Sequence, residues 1–261
     1  RQMNMLRALD APLPVYAHVP MILGADGAKL SKRHGAVSVL QYQEEGYLPD
    51  ALLNYLARLG WSHGDQEIFS REEMIAAFDI KDVNKSASAF NAEKLQWLNQ
   101  QHMMRAPTRE LAAALHSALA RLGVTSDDQP LLEGVVNAQR ERAKTLREMA
   151  QQSLFFFRNF DQYDPKAARK HLTPAAVPLL EAVAAGLDAL PEWNAGAIHT
   201  VLDAVATRNG LGLGAVAQPL RVAVCGTAVS PPIDLTVALI GKGRTLARLQ
   251  RDWGGAADLA R

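Results

Sequence analysis

The sequence predicts a mainly α protein with a small α/β portion near its start. Apolar residues recur at three- and four-residue intervals along most of the 261 residues, the period of an amphipathic helix. Residues of strand character gather in one early stretch, "LPVYAHVPMIL" at 13–23. From Pro107 onward alanine and leucine dominate, with cap signals and glycine or proline breaks between helical runs.

Each element follows in order. "RQMNMLRALDAP" is an amphipathic helix with Met3, Leu6 and Leu9 on one side. Its abrupt opening on Arg1 reads as a piece cut from a longer protein. After the strand-like stretch, "GADG" makes a hairpin-like turn into "AKLSK". "SVLQYQEE" and "LPDALLNYLARLG" are helical; the second should bury Leu52, Leu53, Leu56 and Leu59. "SREE" at 70–73 is a capping box, in which Ser70 caps and Glu73 reaches back. The helix it opens should bury Met74, Ile75 and Phe78. "FNAEKLQWLNQQHM" should pack through Leu95, Trp97 and Leu98, with Trp61 a second core tryptophan. "PTRELAAALHSALARLG" is helical, with Thr108 as its cap. After the break at "DDQP", one long helix is expected over 131–160. Thr173 and Pro174 start the next, and "NAGAIHTVLDAVATRNG", "GLGLGAVAQPLRVAVCG", "DLTVALIG" and "GRTLARLQRDWGG" follow. Phe155, Phe156 and Phe157 are expected to pack rather than to stack on bases.

Composition excludes several functions. Lys+Arg total 28 against 27 Asp+Glu, so overall charge points to no partner and any nucleic-acid surface must come from local clustering. The lone Cys225 forbids an internal disulfide and is expected to be a buried apolar residue. No His/Asp/Glu cluster has metal-ligand spacing, so no metal site is expected, and no apolar run reaches membrane-spanning length.

One short stretch stands out, "AKLSKRHG" at 28–35. Lys29, Lys32 and Arg33 bring three cations to a glycine-bounded loop, and Ser31 adds a hydroxyl donor. Lysine ammoniums suit triphosphate oxygens, and such a loop can stabilise charge moving onto a leaving pyrophosphate without any nucleophile. A solvated turn explains the same spacing. Farther on, Arg140, Lys144 and Arg147 fall at i, i+4 and i+7, and Arg244, Arg248 and Arg251 repeat that spacing. These rows could meet RNA phosphates, or be ordinary solvated faces.

"KLSKRHGA" resembles the lysine loop of class I aminoacyl-tRNA synthetases in the form carried by glutamyl-tRNA synthetases. The likeness continues through "QYQEEGYLPDALLNYLARLGWSHGDQEIFSREEM", "KSASAFNAEKLQWLN", "PLRVAVCGTAVSP" and "LIGKGRTLARL". It implies an enzyme that activates glutamate with ATP and Mg2+ and esterifies it to tRNA(Glu). It implies catalytic, phosphate-contacting roles for Lys29 and Lys32, with Ser31 and Arg33 supporting them at ATP. Arg221, in "PLR", joins Arg140, Lys144, Arg147, Arg244, Arg248 and Arg251 as a tRNA-contacting candidate. The H-x-G-H-type signature of that family does not occur in this sequence. The expectation is therefore a C-terminal portion, inactive alone and holding no bound ATP. Residues 1–106 would hold the end of the catalytic domain and the stem-contact region; 107–172 and 173–261 would be two helical anticodon-binding units. A cytoplasmic monomer with no membrane partner is expected. The rival reading is a stand-alone helical RNA-binding or scaffold module.

Overall fold

The computed structural model describes residues 1–31 and 38–250. The chain divides into two compact units, one of residues 1–42 and 48–99, the other of residues 43–47 and everything from 100 onward.

In the first unit, α1 (Gln2–Ala8) buries none of its side chains. Residues 11–21 form no regular strand despite their composition. Pro12, Pro14 and Pro20 lack the N–H a ladder needs. Only β1 (Ile22–Leu23) survives, pairing in parallel with β2 (Ser88–Ala89), Ile22 opposite Ser88. Four helices complete the unit or leave it: α2 (Val39–Glu44), α3 (Pro49–Arg58), α4 (Arg71–Ala77) and α5 (Ala92–Arg105).

Two apolar faces differ from expectation. α3 buries Ala51, Leu52, Asn54 and Tyr55, while Leu53 and Leu56 are 47% and 42% exposed. Polar groups set this rotation. The Asn54 amide donates to the Glu67 carbonyl at 3.1 Å and accepts from the Phe69 N–H at 2.9 Å. The Tyr55 hydroxyl donates to the Asn91 carbonyl at 3.0 Å and accepts its N–H at 2.6 Å. Buried amides and hydroxyls need these partners, so the helix turns to supply them. α4 starts with the expected Ser70–Glu73 capping box but buries nothing; Ile75 is 75% exposed. Leu95, Leu98 and Trp61 are core. Trp97 is not: it is exposed, with the Lys94 ammonium 4.2 Å over its ring.

The second unit is helical. α6 (Thr108–Arg121) packs on α7 (Gln129–Gln139) and α8 (Leu146–Gln152). The short α9 (Leu154–Phe157) and α10 (Pro165–His171) lead through a 3-10 turn at 174–176 to α11 (Val177–Asp188). α12 (Ala195–Arg208) packs on α11, α13 (Leu213–Cys225) and α14 (Ile233–Ile240), and α15 (Lys242–Leu249) lies against α11, α13 and α14. Leu115, Val135, Phe156, Leu187, Leu202, Val222 and Val237 are fully buried.

The long helix expected over 131–160 is three helices. The chain breaks after Arg140 and restarts at Thr145, whose hydroxyl accepts the Glu148 N–H at 3.1 Å while the Glu148 carboxylate accepts the Lys144 N–H at 2.7 Å. The Leu146 N–H, an orphan of a helix start, donates to the Gly46 carbonyl at 2.9 Å. Gly46 has φ +86°, and a Cβ there would lie 2.3 Å from the Arg147 nitrogen, so only glycine fits. Arg121 ties the same segment by donating to the Gln43 carbonyl at 2.9 Å. Two cap assignments also shift. Pro107, not Thr108, is the N-cap of α6. Thr173 stands at the head of the 3-10 turn but makes no side-chain cap bond. Among the described residues, no helix is long and apolar enough to cross a membrane.

Candidate nucleic-acid interface

In the first unit the expected hairpin forms. The Gly24 N–H donates to the Ala28 carbonyl at 2.8 Å and the Leu30 N–H to the Ile22 carbonyl at 2.9 Å. Asp26 locks the turn by accepting the Ala28 N–H at 3.0 Å. Lys29 stands opposite Leu23 and is exposed at the tip, while Leu30 and Ser31 are half-buried. An exposed ammonium on a hydrogen-bonded hairpin suits a phosphate. Lys32 and Arg33 lie outside the described residues.

In the second unit the two cationic rows do not form as surfaces. Because the helix breaks, Arg140, Lys144 and Arg147 share no helical face. Arg140 turns inward to the end of α5, donating to the Met104 and Ala106 carbonyls at 3.3 and 3.4 Å and to the Thr108 hydroxyl at 2.8 Å. Lys144 and Arg147 remain exposed. The second row is occupied by the protein itself. Arg244 donates to the Phe156 carbonyl. Arg248 is 1% exposed and donates to the carbonyls of Val224 (2.6 Å), Phe155 (2.9 Å) and Arg158 (3.1 Å). Helix C-termini leave such carbonyls without donors, and these guanidiniums cap α9 and α13. Arg248 is thus closed off from any phosphate, while Arg244 is half-buried. Arg251 lies outside the described residues.

Arg221 is half-buried on α13, its Nε donating to the Ser230 hydroxyl at 2.9 Å. Burial presses its guanidinium below the usual arginine value, and neighbouring Arg142 adds to that. Cys225, one turn on, is buried as expected, and burial pushes its thiol up to about 12.

Ser230 and Cys225 also line a cavity of about 850 Å³ in this unit. It lies beneath the break between α7 and α8 and beside α9. Arg142 and Arg158 stand exposed at its rim with Asp161, and Phe155 and Phe160 give it apolar wall. Gly226, the left-handed end of α13, permits this wall, since a Cβ there would meet the Phe160 ring at 2.9 Å. Gln139 reaches the cavity although it is 1% exposed. Its Nε2 donates weakly to the Ser153 hydroxyl at 3.4 Å, while its Oε1 has no partner. A buried acceptor left open costs free energy unless a ligand or water fills it. Cationic rim and aromatic wall together suit an unstacked base with its phosphates. Among the described residues no cluster of metal-ligating side chains occurs.

Sequence spacing missed Gln139, Arg142 and Arg158. The signal was present in "TLRE" at 145–148, a capping box that announces a new helix. With the break placed there, Arg142 falls on a loop and Arg140 on a helix end.

Comparison with known proteins matches residues 92–252 to the family described as an anticodon binding domain. Residues 1–97 match the catalytic domain of class I tRNA synthetases (E and Q). A protein of Alkalilimnicola ehrlichii named glutamate–tRNA ligase 1 is 57% identical over 97% of this chain and 54% of its own length. Glutamate–tRNA ligase 2 of Halorhodospira halophila is 55% identical over all of the chain and 54% of its length. A crystal structure of a glutamate tRNA ligase from Elizabethkingia meningosepticum, in complex with its amino acid, superposes with a TM-score of 0.82 at 29% identity, covering 99% of this chain and 54% of that one. The chain thus spans about half the length of the curated relatives it matches.

Proposed function

Because the chain belongs to the glutamate–tRNA ligase family of class I tRNA synthetases, we propose that it is the part of such an enzyme that grips tRNA(Glu) along its stem and at its anticodon. The observation that carries this is the cavity of about 850 Å³ with Arg142 and Arg158 at its rim and Phe155 and Phe160 in its wall, inside the stretch that matches an anticodon binding domain. An anticodon base enters it and packs on the aromatic wall, and the two arginines hold flanking phosphates. Residues 1–106 supply the hairpin and stem contacts, and residues 107–172 and 173–261 the two anticodon-binding parts. Arg221 orders the wall through Ser230, and Lys144 and Arg147 contribute exposed charge nearby in sequence.

In the whole enzyme, ATP with Mg2+ is a substrate, and glutamate passes to tRNA through glutamyl-adenylate. Lys29 and Lys32 face its phosphates, with Ser31 and Arg33 beside them. The exposed Lys29 fits that contact. The chain by itself does not aminoacylate and holds no ATP; it acts as a monomer in the cytoplasm.

Binding of the 261-residue chain to tRNA(Glu) and to an anticodon-swapped copy, measured across salt concentrations, tests the reading. Affinity falls with salt at a slope of about 0.7–0.9 per neutralised phosphate, and the swapped tRNA binds more weakly at every salt. Arg142→Ala flattens the slope and narrows the gap between the two tRNAs. Equal binding of both tRNAs throughout removes the anticodon role.

A further inference from the structure

The hairpin that carries Lys29 is small. Its first strand, β1, is two residues long, and an isolated pair of strands is marginal in water. It is held along its other edge. The Ser88 N–H donates to the Met21 carbonyl at 3.0 Å and the Phe90 N–H to the Leu23 carbonyl at 2.8 Å. Leu23 is the residue that stands opposite Lys29, so residues 88–90 and Lys29 flank the same strand. β2 is itself only two residues long, and it is tied to α3 at two points. The Ser88 hydroxyl donates to the Leu59 carbonyl at the end of α3. Just beyond β2, the Tyr55 hydroxyl holds both backbone groups of Asn91, donating to its carbonyl at 3.0 Å and accepting its N–H at 2.6 Å. The rings of Tyr55 and Phe90 meet edge to face, with centroids 5.4 Å apart. Tyr55 is buried, and burial raises its phenol above the usual tyrosine value, so it stays a hydrogen-bond donor at neutral pH.

We infer that Tyr55 is a positioning residue for Lys29. Through Asn91, Phe90 and Leu23 it fixes where β1 lies, and with β1 the place of the Lys29 ammonium. The inference rests on the reading of Lys29 as a contact for ATP phosphates and names a residue on which that contact depends. An ammonium stabilises a transition state only where charge develops, and a misplacement of about 1 Å can cost on the order of a hundredfold in rate. Tyr55→Phe keeps the ring against Phe90 and removes the hydroxyl from Asn91. With the Ser88 tie intact, the hairpin loses one of its two anchors, and the loss expected is about tenfold.

The test has two arms. In the full-length enzyme that carries this chain, ATP–pyrophosphate exchange is measured with glutamate and tRNA(Glu) present for the parent, Tyr55→Phe, Lys29→Ala and the double variant. Tyr55→Phe should lower kcat about tenfold with little change in KM for glutamate. In the Lys29→Ala background it should lower kcat no further, because the group it positions is gone. Asn54→Ala is the control for loosening α3 alone, since Asn54 holds residues 67 and 69 instead. It should melt below the parent and keep the parent's kcat. An unchanged kcat in Tyr55→Phe, additive losses in the double variant, or an equal loss in Asn54→Ala overturns the positioning role. The second arm follows amide exchange in the 261-residue chain. Tyr55→Phe should speed exchange of the Phe90, Gly24 and Leu30 amides about tenfold and leave that of Leu98 in α5 unchanged. Hairpin amides that exchange as in the parent overturn the inference as well. If Lys29→Ala leaves pyrophosphate exchange untouched, the phosphate reading of Lys29 falls, and the hold of Tyr55 on the hairpin is judged by amide exchange alone.

Discussion

Arg248 donates to carbonyls at the ends of two helices while only 1% exposed. Its charge is held in place of the missing helical donors, so removing it leaves several carbonyls open in the interior at once. Arg248→Met should destabilise the second unit by about 3–5 kcal/mol. For a unit of this size that lowers Tm by roughly 10 °C, which calorimetry of the whole chain reads directly. Arg248→Lys should not rescue, because one ammonium cannot span the fork of a guanidinium. A melt within a degree of the parent refutes the capping role. The same residue shows what part of the site could be read from the sequence. Arg244 and Arg248 repeat at helical spacing, which looks like a phosphate-binding row. Their true partners are backbone carbonyls, which every residue carries and no sequence marks. Gln139, by contrast, is a polar residue inside an apolar helix, and only the fold reveals that its Oε1 is buried without a partner beside a cavity. The hairpin that carries Lys29 was legible because its turn signal is local.

The elements were legible where their signals are local. The Ser70 capping box, the hairpin at 24–28 and the core leucines of α5 formed as the sequence suggests. They were not where a distant partner decides. α3 turns Leu53 and Leu56 outward because Asn54 and Tyr55 must reach Glu67, Phe69 and Asn91. The start of α8 likewise depends on Gly46, a hundred positions earlier in the chain. Gly46→Ala sets a Cβ against the Leu146–Arg147 backbone at a φ that side chains rarely adopt. The close contact and the strained backbone together should cost about 2–4 kcal/mol. Chemical denaturation of the chain, followed by helical circular dichroism, measures it. Gly64→Ala has positive φ but open space around it, and serves as the control for conformational strain alone. If the two variants lose the same stability, the close approach contributes nothing.

At the scale of the molecule, the run of helices from 92 to 249 follows from apolar period and punctuation, whereas the return of residues 43–47 to the later helices does not. No pattern in "QEEGY" announces that Gly46 and Gln43 serve Leu146 and Arg121. Residues 107–261 hold most of the second unit's core, so that truncation should still melt cooperatively. It lacks Gly46, Gln43 and the Met104 and Ala106 carbonyls that Arg140 holds. Its helical transition should therefore fall several degrees below that of a 43–261 chain, in line with about 2 kcal/mol of lost hydrogen bonds. Coincident melts would mean those contacts are idle. The seam at 43–47 also bears on inheritance. A gene segment joined at residue 100 and moved to a new host would carry nearly every helix of the second unit and leave behind the glycine on which α8 begins. Lineages that exchange parts by splicing can pass this unit on intact only as two separated pieces, or with a host that already offers a glycine at the matching place.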